Sequence, residues 1–63
     1  MSLENLIRQQ AEEHLKAAAR LATQAALTDD IWLRVVCKKQ AEVYSKAADG
    51  LLTALHYAED VTR

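Results

Sequence analysis

The residues best suited to chemistry in this chain are two histidines, His14 and His56, and one cysteine, Cys37. His56 precedes Glu59 and Asp60 by three and four residues, a spacing that places metal ligands on one side of a helix. Two side chains at a helix end make an incomplete metal site, and the same spacing is typical of a solvated helical face. We therefore expect neither a metal nor a cofactor.

Cys37 has no second cysteine with which to form an intrachain disulfide, and no activating base can be identified for it. The sequence also lacks a Ser-His-Asp set, a glycine-rich phosphate loop and a nucleotide-binding fingerprint. These observations predict a protein that is not an enzyme.

His14 lies in the apolar arc of its helix, one turn after Gln10. Such a buried polar pair can bind a ligand or sense pH. More often the two side chains hydrogen-bond to each other or to a facing residue, and in this way fix the register of the helices. We favour this second interpretation, and we apply it also to Gln40 in the apolar face of the second helix.

The elements that position these side chains follow from one break in the helical pattern. The 63 residues include no proline and a single glycine, so Thr28-Asp29-Asp30 is the strongest interruption. We predict one all-α domain over residues 1–63, folded as a two-helix antiparallel hairpin. Helix one covers about 3–27, the turn 28–30 and helix two about 30–62. The alternative is one continuous helix of about 90 Å.

Local signals suggest how each helix begins and ends. Ser2 is the expected N-cap of helix one, and Thr28 that of helix two, with both aspartates in its first turn. Leu27 and Trp32 then form a hydrophobic staple across this start. Helix two can end at Gly50, but the apolar pattern continues in phase beyond it, so we expect a continuous helix.

Small residues recur at heptad spacing and indicate close helix packing. The predicted seam of the core and of a dimer consists of Ala11, His14, Ala18, Ala25, Gln40, Ala47 and Ala54. Helix two is longer by about 8 residues, or ~12 Å, so its C-terminal end lacks an intrachain neighbour. A core of this size rarely stabilises a monomer, so we predict a homodimeric four-helix bundle; the alternative is a monomer.

Two surfaces of helix two are candidates for binding other molecules. The predicted protein-binding residues are apolar or aromatic and consist of Ile31, Trp32, Val35, Tyr57 and Val61. The alternative is that Ile31 and Val35 fill the edges of the dimer. A basic strip of Arg34, Lys38, Lys39 and Lys46 can follow a phosphate backbone, although Glu42 interrupts it and can pair with Lys38 or Lys46. The formal net charge of −1 gives no general attraction to nucleic acid.

In length and hairpin architecture the chain resembles the repressor-of-primer family of plasmid proteins. That resemblance implies a dimeric four-helix bundle that binds paired RNA loops, but no shared motif transfers RNA-contacting residues. Our first hypothesis is a cytoplasmic, non-enzymatic regulator or inhibitor that binds another protein, a class often encoded by phages or mobile elements. A nucleic-acid-binding regulator is the second hypothesis, and a structural coiled-coil adaptor the third. We expect no association with a membrane.

Overall fold

The computed structural model describes residues 2–62, which form two α-helices packed against each other as an antiparallel hairpin. Helix α1 comprises Leu3–Leu27 and helix α2 comprises Ile31–Thr62. The Cα atoms extend over 50 × 19 × 11 Å, the proportions of two helices side by side. The hairpin predicted from the break at 28–30 is confirmed, and the alternative of one continuous helix is wrong.

Helix α1 begins and ends on polar residues at its two caps. Ser2 has an extended backbone, and its Oγ accepts a hydrogen bond from the Asn5 N–H at 3.2 Å, as expected for an N-cap. At the other end, Thr28 turns the chain into an extended conformation while its N–H still donates to the Gln24 carbonyl at 3.1 Å. The helix therefore stops without a glycine in the left-handed region.

The cap of α2 is Asp30, and the prediction that Thr28 fills this position is wrong. One carboxylate oxygen of Asp30 accepts hydrogen bonds from the N–H groups of Trp32 and Leu33, at 2.9 and 3.2 Å. No acidic residue lies in the first turn of α2. With Asp30 as the cap, Leu27 and Trp32 no longer occupy the two positions that form a hydrophobic staple, so the predicted staple is absent. Their side chains are 80% and 78% exposed.

Thr28 supports the turn in another way. Its hydroxyl accepts the Asp30 N–H at 3.2 Å, and its carbonyl accepts the Arg34 guanidinium at 2.9 Å. These two bonds hold the three-residue turn against the first turn of α2.

Helix α2 runs through Gly50 without a break, as the apolar pattern beyond that residue predicted. Gly50 does not have a positive φ. Its backbone is therefore one that any residue can adopt. A Cβ atom added there would have no neighbour within 4 Å.

The contact between the helices is made by small side chains. Among the described residues, the buried ones are Ala11, Ala25, Cys37, Ala48 and Leu55. The stripe of α2 that faces α1 thus contains Cys37, Ala48 and Leu55. The residues predicted for this role, Gln40, Ala47 and Ala54, are exposed in the hairpin. As a prediction of contacts within one chain this set was wrong by one position, since Ala48 and Leu55 are buried in place of Ala47 and Ala54.

The overhang of α2 at the open end of the hairpin is shorter than predicted. At the open end, Leu3 and Ile7 line one groove together with Leu55 and Ala58. At the closed end, Leu33 lines a second groove with Gln24 and Leu27, so the first turn of α2 lies beside the last turn of α1. The predicted overhang of about 8 residues at the C-terminal end is therefore too long, because Ala58 has α1 as a neighbour.

Candidate interaction surfaces

One flank of α2 carries no charged residue. At about 100° per residue, the stripe beside the buried one repeats through Leu33, Gln40, Ala47, Ala54 and Val61 at heptad spacing. All five are exposed. Helix α2 therefore has two adjacent stripes of uncharged residues, of which α1 covers one.

The flank of α1 on the same side is uncharged as well. Three cross-helix neighbourhoods establish that the two flanks share a side: Leu3 with Ala58, His14 with Tyr44, and Gln24 with Leu33. We call the combined surface the uncharged face. It consists of Leu3, Leu6, Gln10, Ala17, Leu21 and Gln24 of α1 with Leu33, Val36, Gln40, Val43, Tyr44, Ala47, Ala54, Ala58 and Val61 of α2.

The exposed area of the hairpin is large for its mass. The chain exposes 5038 Å², whereas a compact monomer of 7.0 kDa exposes about 4,000 Å². Large apolar side chains account for part of this excess, with Val43 66% and Leu3 70% exposed. The difference of about 1,000 Å² is close to what one partner buries in a standard protein interface.

His14 lies at the boundary between the core and the uncharged face. Its Nδ1 donates to the backbone carbonyl of Gln10 at 2.8 Å, so the hydrogen bond expected between the two side chains is replaced by one to the main chain. The imidazole meets the ring of Tyr44 edge to face, with centroids 5.6 Å apart. His14 was predicted to fix the register of the helices by contacting a facing residue, and the residue it faces is Tyr44.

The closed end of the hairpin carries a second apolar surface. Ile31, Trp32 and Val35 lie on the first two turns of α2, and all three are exposed. Ile31 and Val35 point away from the uncharged face, whereas Trp32 lies one turn before Val36 at the edge of that face. We call these three residues the tip patch. Tyr57 and Val61 were predicted to bind the same partner, but they lie more than 20 residues further along α2, or over about 30 Å. One chain therefore does not bring the five residues together.

The basic residues of α2 do not form one strip. Lys38 points about 100° away from Lys39, and Lys46 lies near the direction of Lys39. The Arg34 guanidinium donates a hydrogen bond to the Thr28 carbonyl at the turn. Glu42 forms its ion pair with Lys39 at 3.7 Å rather than with the predicted Lys38 or Lys46.

The ion pair between Arg8 and Glu59, at 2.7 Å, connects the helices at the open end and was not predicted. Periodicity offered no signal for it, because the pairing depends on the register of α2 along α1. His56 contacts Asp60 at 3.8 Å on the exposed surface. No group of three or more potential metal ligands occurs within the described part of the chain.

Over the residues described, neither α1 nor α2 contains an apolar stretch long enough to cross a membrane. Comparison with protein-family models, with curated proteins and with solved structures yields no match.

Proposed function

We propose that this protein is a non-enzymatic regulator or inhibitor in the cytoplasm, which forms a homodimer and binds another protein. The observation that carries the proposal is the presence of two apolar surfaces that point in different directions and adjoin at Trp32, the uncharged face and the tip patch. One serves to build the dimer, and the other remains available to a partner.

The dimer is supported by the composition of the core. Among the described residues, three of the five buried side chains are alanine methyl groups, and Leu55 is the only large aliphatic side chain of the five. Such a core gains little hydrophobic free energy, because that gain scales with the apolar area removed from water. Burial of the uncharged face against a second copy supplies the missing area and gives a four-helix bundle.

The tip patch is suited to binding another protein. Trp32 is largely exposed, and it follows Ile31 directly and precedes Val35 by one turn at the same end of α2. Tryptophan is enriched among the residues that dominate the affinity of protein interfaces. Because Ile31 and Val35 point away from the uncharged face, dimerisation leaves them accessible, with Trp32 at the edge of the interface.

Affinity capture from the native host tests the proposal with two tagged variants. The tip variant combines Ile31→Ser, Trp32→Ala and Val35→Ser, while Leu52→Ser removes an exposed apolar side chain elsewhere on α2 as a control. We expect the partner to be lost with the tip variant and retained with the control. Light scattering should give twice the chain mass of 7.0 kDa for both. Equal capture by both variants would contradict the role of the tip patch.

The nucleic-acid hypothesis receives no such support. Its four basic residues lie on two different sides of α2, and Arg34 and Lys39 each have a partner within the chain. We therefore do not propose RNA or DNA as the ligand.

A further inference from the structure

The two ends of the hairpin carry opposite charge. Residues 14–46, which form the closed half, contain six basic and three acidic side chains and so have a net charge of +3. The open half, residues 2–13 and 47–62, contains one basic and six acidic side chains, for a net charge of −5. The acidic residues of the open half are Glu4, Glu12, Glu13, Asp49, Glu59 and Asp60.

We propose that two copies of this chain pack through the uncharged face with their closed ends pointing in opposite directions. This inference rests on the proposed homodimer and specifies its topology. A two-fold axis across the helices then places α2 on α2 of the second copy, and α1 on its α1. If the closed ends pointed the same way, α2 would pack on α1 of the second copy instead.

Charge complementarity favours the opposed arrangement. It places the closed half, at +3, over the open half of the second copy, at −5. The alternative stacks each half on its own equivalent and brings like charges together along the length of the bundle. Juxtaposed like charges disfavour a pairing, so the charge polarity of the hairpin selects its orientation.

The sizes of the side chains on α2 favour the same arrangement. Large residues occupy the first half of the exposed stripe, and alanines occupy much of the second half. With the two-fold axis at Ala47, Val36 lies opposite Ala58 of the partner subunit, and Gln40 lies opposite Ala54 of the partner subunit. At these two levels a large side chain faces a small one, which favours close packing in the middle of the seam.

The two glutamines of the uncharged face provide a third argument. Ile7 lies beside Leu55 in the open-end groove, so Gln10 is level with about residues 50–52 of α2. In the opposed arrangement, Gln40 of the partner subunit is level with residue 54, within about one helical turn of Gln10. With the closed ends together, the two amides would be separated by about 15 Å along the bundle. Only the opposed arrangement therefore brings these amides to similar levels, on diagonally opposite helices that both face the middle of the bundle.

Disulfide trapping between singly substituted chains tests the topology. Every chain carries Cys37→Ala, and each has one new cysteine and a tag of distinct mass. Gln40→Cys chains are mixed with Ala54→Cys chains, refolded together and oxidised. A second mixture of Val36→Cys with Gln24→Cys probes the arrangement with closed ends together. A matched control mixes Lys38→Cys chains with His56→Cys chains. These positions lie within two residues of Gln40 and Ala54 along α2, but on its charged side.

We expect the mixture of Gln40→Cys and Ala54→Cys to give the heterodisulfide in several-fold excess over either homodisulfide, because only neighbouring backbones satisfy disulfide geometry. The other two mixtures should give little product. Preferential cross-linking of Val36→Cys with Gln24→Cys, or of Gln40→Cys with itself, would overturn the topology while leaving the dimer intact. A mass of 7.0 kDa by light scattering would instead overturn the dimer itself.

Discussion

Arg8 and Glu59 are joined by an ion pair of 2.7 Å between Nη2 and Oε1, although 51 residues separate them in the sequence. The same guanidinium contacts Glu4 at 3.1 Å, one turn earlier on α1. The pair therefore connects the first turns of α1 to the last turns of α2 and closes the open end of the hairpin.

We expect this ion pair to contribute modestly to stability. Both side chains retain substantial exposure, so a double-mutant cycle with Arg8→Met and Glu59→Gln should give a coupling energy of about 0.2–1 kcal/mol. Urea denaturation at fixed protein concentration measures it, and raising the salt concentration should weaken it. The cycle repeated in the presence of Glu4→Gln separates the contribution of the local pair. A coupling of several kcal/mol that is insensitive to salt would contradict this account.

Replacement of the α2 cap should be more costly than replacement of its neighbour. Asp30→Ala removes the acceptor for two backbone N–H groups and should lower the free energy of unfolding by about 1 kcal/mol. Asp29→Ala is the matched control, since both hydrogen bonds of the cap are accepted by the carboxylate of Asp30 and not by that of Asp29. Equal losses for the two variants, measured by urea denaturation, would show that the cap is assigned to the wrong residue.

Gly50→Ala should stabilise the protein. Gly50 lies inside α2 with a backbone suited to alanine, and the new methyl group meets no atom within 4 Å. Alanine is favoured over glycine in a helix interior by about 0.5–1 kcal/mol. Thermal unfolding at one fixed concentration should show a higher midpoint. A lower midpoint would indicate that another chain approaches Gly50 too closely to admit the methyl group.

Ala47→Glu should disrupt the proposed dimer. It places a carboxylate at the centre of the exposed stripe of α2, where burial of an unpaired charge costs about 3 kcal/mol or more. That cost corresponds to an association about 100-fold weaker. Thr53→Glu adds the same charge on the other side of α2 and should leave the mass in solution unchanged. If Ala47→Glu retains the mass of the wild type at the same low micromolar concentration, the uncharged face is not the interface.

The sequence predicted the two helices because a single polar interruption stands in a chain of good helix formers. The cap was harder to place, since Thr28, Asp29 and Asp30 are all suitable N-cap residues. The choice among them depends on how far the extended turn continues beyond α1. Hydrogen bonds made by Thr28 to Asp30 and Arg34 decide that length, and they are specific to the folded turn.

The core was predicted less well, for a reason visible on α2. One uncharged stripe includes Cys37, Ala48 and Leu55, and the adjacent one includes Gln40 and Ala47. Periodicity identifies both stripes but does not determine which of them faces α1, because the two have similar hydrophobicity and spacing. The exposed stripe remains the predicted dimer seam, and the buried one is the intrachain contact.

The alanine contacts between α1 and α2 have a kinetic consequence. Alanine side chains lose no rotamer entropy on burial, yet they also supply little free energy, so the isolated hairpin forms readily and opens readily. If the second copy provides most of the stability, refolding becomes a second-order process whose rate rises with chain concentration. Cellular proteases act on the open form, so the lifetime of each molecule would then increase with the number of copies in the cell.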